Sequence, residues 1–191
     1  MVVDSVIFDF DDTLVATNII YEEARERFFT AMEQFGCRDR GAMADFLNDT
    51  DIKNVLAQGY LAKDCFPQAM RSTYEHFIAT TDCPGDPAMA DAMEQIAWDV
   101  YERETVYLDG ADELLETLRG KARLFLLTQG DQDIQLKRLR MSGVLDYFDD
   151  FRIVPAKTED EYRLFIKDMQ IDASRSWMIG NSLRSDINPA I

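Results

Sequence analysis

Three aspartates crowd the short segment VIFDFDDTLV, residues 6–15, at positions 9, 11 and 12. In extended backbone, residues i and i+2 point to the same side, so Asp9 and Asp11 are predicted to face one pocket. Two carboxylates in one pocket repel each other, and a hard divalent cation with a preference for oxygen ligands would relieve that repulsion. The segment therefore predicts a carboxylate site that binds a cation such as Mg²⁺, with Asp12 expected mainly to shape the turn.

Three short apolar runs, each followed at once by a small or polar residue, and a fourth, weaker run just before Pro155 are predicted to form the strands that position this site. They are residues 6–8, 124–127, 151–154 and 177–179. Continuous apolar runs separated by helical segments are typical of buried parallel strands. Because ligands bind outside the carboxyl ends of such strands, the residues that follow them are expected to converge. The convergent set is Asp9, Asp11, Thr128, Lys157, Asn181 and Asp186.

The segments between these strands carry helical patterns, so we predict an α/β fold with a parallel sheet. A Thr158/Glu161 capping box opens one helix, and Asp131 is a start signal for another. Between residues 18 and 104 no convincing strand occurs, and helices are predicted there instead. Their ranges are 18–36, 42–47, 52–60, 67–79 and 88–103. We therefore expect a core formed by 1–17 and 105–191, and an inserted helical module, 18–104.

Composition limits the partners and the location. The chain has 36 acidic and 20 basic residues, a formal net charge of -16 that disfavours nucleic acid and anionic membrane surfaces. The three cysteines, Cys37, Cys65 and Cys83, show no CxxC or Cys/His spacing and are interpreted as ordinary thiols of a reducing compartment. No apolar run approaches the roughly 20 residues that span a bilayer. We therefore expect a soluble, cytoplasmic protein, a monomer or homodimer, that acts on a small molecule.

Four motifs in order resemble those of the haloacid dehalogenase-like (HAD) hydrolase superfamily. They are the DxDxT signature in DFDDT, the strand-ending Thr128, Lys157 and the segment GNSLRSD. The resemblance covers residues 6–15 and about 107–191. It implies a Rossmann-like parallel sheet core with an inserted helical cap, and, for a phosphatase-type member, Mg²⁺-dependent hydrolysis of a small phosphorylated metabolite.

The same resemblance implies roles for single residues. Asp9 would be the nucleophile that becomes an aspartyl phosphate, and Asp11 would be the acid and base. Substrate-binding roles fall to Thr128, Gln129 and Lys157. The implied metal ligands are Asp9, Asp11, Asp186 and Asn181.

The sequence departs from the family pattern at two places. Asn181 stands where the family usually has a first acidic residue, and an amide there would weaken metal binding. The family core normally continues beyond the fourth motif, whereas this sequence stops at Ile191. We therefore expect either a truncated core or a partner chain that covers the edge of the sheet.

Three alternatives stay open. A haloacid dehalogenase characteristically lacks the second aspartate, so Asp11 argues against that reaction. A phosphomutase would share the first steps and is hardly separable by sequence. A catalytically silent binding module is the remaining possibility.

Overall fold

The computed structural model describes residues 3–191 and divides into two compact units. The core unit comprises the described residues up to Asn18 together with Glu104–Ile191, and the helical unit comprises Ile19–Arg103. The α-helices of residues 3–191 are α1 (Asn18–Gln34), α2 (Arg40–Gln58), α3 (Cys65–Thr80), α4 (Ala90–Trp98), α5 (Ala111–Leu118), α6 (Gln132–Ser142) and α7 (Glu159–Asp168). Within that part of the chain, none of the helices combines the length and the apolar character needed to cross a membrane.

The core unit contains a parallel sheet in the order β3-β2-β1-β4. Its strands are β1 (Ser5–Phe8), β2 (Arg123–Gln129), β3 (Asp150–Val154) and β4 (Ser176–Ile179). All four predicted strands and the α/β class are confirmed, although β2 continues through Thr128 instead of ending before it. Helices pack on both faces of β1 and β2, which explains why these strands have continuous apolar runs.

Alternate strand residues feed two apolar clusters. Val6 and Phe8 of β1 lie in one cluster, which also holds Leu139 of α6. Ile7 lies in the other cluster, which holds Phe165 of α7. Since α6 follows β2 and α7 follows β3, each helix is held against the sheet close to the point where its strand ends.

Residues 14–16 and 106–108 pair with each other at the junction between the two units. The backbone N–H of Ala16 donates to the carbonyl of Val106 at 2.8 Å, and that of Leu108 donates to Leu14 at 2.9 Å. Val15 is the centre of this antiparallel bridge. The two chain segments that connect the core unit to the helical unit thus lie side by side where they leave the core unit.

The helical unit differs from the prediction in two places. The helices predicted at 42–47 and 52–60 form one continuous helix, α2. The segment NDTD between them is polar but contains neither glycine nor proline, so nothing interrupts the backbone hydrogen bonds. The helix predicted at 88–103 is divided, because 3₁₀ turns at 87–89 and 99–102 flank α4.

The interpretation of the cysteines as three ordinary thiols is wrong. Cys37 and Cys83 form a disulfide in the helical unit, with their Cα atoms 4.8 Å apart, while Cys65 is free and buried. The pair is separated by 46 residues, and the fold of α1–α3 brings the two together. The cysteines therefore give no support to a reducing compartment.

Candidate active site

Asp9 lies directly after β1, with its side chain almost fully buried. Its backbone N–H donates to the carbonyl of Ile179 at 2.9 Å, which fixes the residue beside the end of β4. One carboxylate oxygen, Oδ1, accepts a hydrogen bond from Lys157 Nζ, and the other accepts one from Thr13 Oγ1 at 3.2 Å. The carboxylate is thus held at both oxygens.

Lys157 joins two carboxylates that are distant in sequence. Its Nζ donates to Asp9 Oδ1 and, at 2.5 Å, to Asp186 Oδ1. The three side chains are only 2%, 8% and 1% exposed, for Lys157, Asp9 and Asp186 respectively. Two buried carboxylates share one ammonium, so the cluster carries an excess negative charge in a poorly solvated place.

That excess charge affects the proton affinity of the candidate nucleophile. Burial raises the pKa of Asp9 from its ordinary 3.8 to about 6, and the negative charge of Asp186 acts in the same direction. The ammonium of Lys157 lowers the pKa but offsets only part of the effect of burial. Without a further cation, Asp9 therefore keeps its proton up to a higher pH than an ordinary aspartate does.

Gly180 is required by the close approach of Asp186. A Cβ atom at position 180 would lie 2.4 Å from both Cγ and Oδ2 of Asp186, closer than any real contact. The same Oδ2 accepts a hydrogen bond from the backbone N–H of Ser182 at 2.9 Å. Asp186 itself lies in a single π-helical turn, Leu183–Ile187, that returns it toward β4.

Asp11 lies in a second hydrogen-bonded group on the same loop. Its Oδ1 accepts from Thr17 Oγ1 at 2.6 Å and from the guanidinium of Arg138. Its Oδ2 accepts from Gln135 Nε2 at 2.7 Å. The carboxylate is therefore held by three donors, two of them from α6.

Thr128 and Gln129 end β2 and connect these two groups. Thr128 is fully buried, and its Oγ1 lies 2.9 Å from Gln135 Nε2. The side-chain carbonyl of Gln129 accepts from the backbone N–H of Lys157 at 3.4 Å. Gln129 thus positions the start of the segment that carries the lysine.

Asp12 has a structural environment, with backbone φ of +54°. Its Oδ1 accepts from the backbone N–H groups of Thr17 and Asn18, both at 2.9 Å. These contacts satisfy N–H groups at the start of α1, where a helix has no internal acceptors. Asp12 therefore shapes the turn that leads into the helical unit.

The predicted site residues fall into three classes of placement. Three of them are in direct hydrogen-bond contact: Asp9, Lys157 and Asp186. Asp11 and Thr128 are connected to each other through Gln135, and Gln129 supports the lysine segment. Asn181 is exposed in the turn after β4.

Sequence reasoning missed Gln135 and Arg138. They are three residues apart on α6, and both are buried. A glutamine and an arginine at helical spacing beside Leu139 would have been a signal, because a buried polar side chain requires a partner. The sequence alone does not show that this face of α6 points toward Asp11.

The chemistry of the donors fits a hard cation, although residues 3–191 contain no cluster of three or more His, Cys, Asp or Glu side chains arranged for a metal. Asp9 and Asp186 together carry one negative charge more than Lys157 neutralises. Carboxylate oxygens are the donors that Mg²⁺ prefers, and Mg²⁺ often binds through only one or two of them. Backbone and amide oxygens at Asp11 and Asn181 would be the further protein donors.

Comparison with known proteins identifies the family. A family model described as haloacid dehalogenase-like hydrolase matches residues 3–191. The Bacillus subtilis (strain 168) protein "Putative HAD-hydrolase YfnB" is 24% identical over 190 residues, which cover 96% of this chain and 77% of YfnB. Its magnesium-bound crystal structure has a TM-score of 0.67 at 21% identity, with 100% of this chain and 83% of that one covered.

Other solved structures share the fold. A haloacid dehalogenase-like family hydrolase from Xanthomonas campestris has a TM-score of 0.84 at 24% identity and covers 99% of this chain and 77% of its own. A 2-haloacid dehalogenase from Pseudomonas syringae has a TM-score of 0.62 at 16% identity, with coverages of 98% and 82%. Since the family model matches all of the described residues, the chain belongs to the haloacid dehalogenase-like hydrolase family.

Proposed function

We propose that this hydrolase cleaves phosphate monoesters through an aspartyl phosphate and requires Mg²⁺. The observation that carries the proposal is the pair of differently held carboxylates. Asp9 is buried against Lys157 and Asp186, whereas Asp11, two residues later, is held by donors from α6. A cation bound beside Asp9 would favour its ionised form for attack, and Asp11, held separately, would take the role of proton carrier.

In the first step, a carboxylate oxygen of Asp9 attacks phosphorus and the bond to the leaving oxygen breaks. Asp11 gives its proton to that oxygen, which departs as an alcohol. The contact of Lys157 with Asp9 Oδ1 holds the nucleophile in one orientation and brings positive charge next to the phosphoryl group. Orientation and charge are the main contributions that a protein makes to phosphoryl transfer.

In the second step, Asp11 accepts a proton from water, and the water oxygen attacks phosphorus. The bond between phosphorus and Asp9 breaks, which restores the carboxylate and releases inorganic phosphate. Asp11 then holds the proton that the next turnover requires. General acid and base catalysis of this kind typically contributes about 10²–10⁴-fold to the rate.

Asp9, Asp186, the backbone carbonyl of Asp11 and the amide of Asn181 would hold Mg²⁺, which when bound supplies positive charge to the phosphoryl oxygens. Thr128 is suited to donate a hydrogen bond to a phosphate oxygen. Gln129 would contribute through its contact with the lysine segment.

The proposed substrate is a small phosphorylated metabolite. The net charge of -16 disfavours nucleic acid and anionic membranes as partners. We further propose that the protein acts in the cytoplasm as a monomer or homodimer.

Dehalogenation is the main rival within the family, and Asp11 argues against it. A halide leaves as an anion that requires no proton, so a dehalogenase would not need Asp11 as the acid of the first step. A phosphomutase would use the same first step and return the phosphoryl group to the substrate. A silent binding module would bind phosphate esters without turnover.

Phosphate release from a panel of phosphomonoesters, measured with Mg²⁺ and with EDTA, tests the proposal. We expect release that depends on Mg²⁺ and that Asp9→Asn abolishes. Asp146→Asn, an exposed carboxylate of the core unit, is the matched control and should keep full activity. Well-folded protein that releases phosphate from no ester would exclude a hydrolase of this class, and halide release from 2-haloacids would favour the dehalogenase.

A further inference from the structure

Arg138 is a buried cation whose hydrogen-bonding groups are directed at one carboxylate and its neighbours. It is 8% exposed on α6, and its guanidinium lies over the ring of Phe10, 5.3 Å from the centroid. It donates to Asp11 Oδ1, to Thr17 Oγ1 at 2.7 Å and to Gln135 Oε1 at 2.9 Å. Burying a guanidinium is costly unless its donors are satisfied, so the side chain is held in this one arrangement.

Gln135 completes the arrangement and has a defined amide orientation. Its Oε1 accepts from Arg138, so its Nε2 must be the group that faces Asp11 Oδ2 at 2.7 Å and Thr128 Oγ1 at 2.9 Å. As an acceptor from Gln135, the Thr128 hydroxyl keeps its own O–H free to donate elsewhere. One side chain thus fixes the spacing between the acid–base carboxylate and the phosphate-binding threonine.

The orientation of Asp11 depends on these contacts with α6. With Arg138 and Thr17 at Oδ1 and Gln135 at Oδ2, both carboxylate oxygens are fixed from outside the loop DFDDT. Proton transfer requires the donor within about 3 Å of the leaving oxygen, and misplacement by about 1 Å costs about 10²-fold.

We propose that Arg138, supported by Gln135, is a positioning residue that aims Asp11 at the leaving group. The inference rests on the proposed phosphatase function. The hydrogen bonds of Arg138 go to Asp11, Thr17 and Gln135, and not to the proposed nucleophile Asp9. Its loss therefore affects leaving-group protonation and leaves attack by Asp9 largely intact.

Two aryl esters of similar shape separate these effects. Phenyl phosphate has a basic leaving group that needs protonation, whereas 4-nitrophenyl phosphate has a stabilised leaving group that needs it little. For both esters, kcat/KM reports on the first half of the reaction, in which the phosphoryl group is transferred to Asp9. A residue that acts only on the fold would reduce both values equally.

The experiment compares full-length wild type, Arg138→Met and Arg138→Lys, with Arg140→Met as the control on the exposed side of α6. We expect Arg138→Met to lower kcat/KM for phenyl phosphate by about 10–100-fold and that for 4-nitrophenyl phosphate only a few-fold. Arg138→Lys keeps the charge and should recover part of the loss, whereas Arg140→Met should change neither ester.

Three outcomes would overturn the proposal. Equal losses of kcat/KM on both esters would show that Arg138 has only a structural role. If Arg138→Met does not fold, the folded Arg138→Lys decides, since an unchanged ratio between the two esters would refute a positioning role. Wild type inactive on both esters would overturn the phosphatase function and this inference with it.

Discussion

Replacement of Asp9 by asparagine is expected to make the metal-free protein more stable while it removes the proposed nucleophile. Folding raises the pKa of Asp9 from 3.8 to about 6, so the folded state favours the protonated carboxyl. The contribution of Asp9 to stability is therefore highest below pH 3.8 and falls as the pH rises through this interval. Asparagine resembles the protonated form and carries no such dependence on pH.

The magnitude follows from the difference in proton affinity. Each factor of ten is worth about 1.4 kcal/mol, so ionisation of Asp9 in the folded protein costs about 3 kcal/mol at pH 7. At pH 5 the carboxyl is mostly protonated in the folded state, and the cost falls to about 1.5 kcal/mol. The asparagine variant also leaves Lys157 paired one to one with Asp186, which balances the buried charge.

Urea unfolding followed by circular dichroism, with EDTA present, measures the effect. We expect Asp9→Asn to raise the free energy of unfolding by about 3 kcal/mol at pH 7 and by about half as much at pH 5. Asp146→Asn, an exposed control, should stay within about 0.5 kcal/mol. A variant less stable than wild type at pH 7, or a gain that does not shrink at pH 5, would refute the reasoning about buried charge.

Three further perturbations test other parts of the structure. Lys157→Met leaves two buried carboxylates without a cation and should lower the free energy of unfolding in urea by about 3–5 kcal/mol, and no loss would contradict the buried pairing. Gly180→Ala places a Cβ where Asp186 now lies and should weaken the proposed Mg²⁺ binding about 10–100-fold. The Mg²⁺-dependent stabilisation against heat measures this affinity, and an unchanged affinity would contradict the prediction. Reduction of the Cys37–Cys83 disulfide should cost the helical unit about 4 kcal/mol for a loop of 46 residues, and titration of the unfolded, unreduced chain should give one thiol instead of three.

The sheet could be predicted from sequence because its strands are buried between layers of helices. Such strands contain short apolar runs, and 6–8 and 124–127 show this clearly, although β2 extends past its run to Gln129. Their order along the chain, with helices between, leaves few topologies open. The helical unit was harder, since in α2 a run of polar residues on an exposed surface resembles a loop although the helix continues.

The predicted site residues lie at or shortly after the end of a strand, or in the segment GNSLRSD, as Asp186 does. Asp9 directly follows β1 and Lys157 lies three residues after the end of β3, and the fold brings them together. Arg138 and Gln135 lie in the middle of a helix, and the rotation of that helix against the sheet is set by packing that the sequence does not state. The pairing of Cys37 with Cys83 depends in the same way on tertiary structure.

The paired junction formed by residues 14–16 and 106–108 has a consequence for how the fold can diversify. Backbone hydrogen bonds of the core unit, at Ala16 and Leu108, join the chain that enters the helical unit to the chain that leaves it. All four strands of the sheet and the buried Lys157 belong to the core unit, whereas Ile19–Arg103 is one continuous stretch of helices. We therefore expect that the stretch of gene encoding Ile19–Arg103 can be exchanged or resized without removing a strand of the sheet.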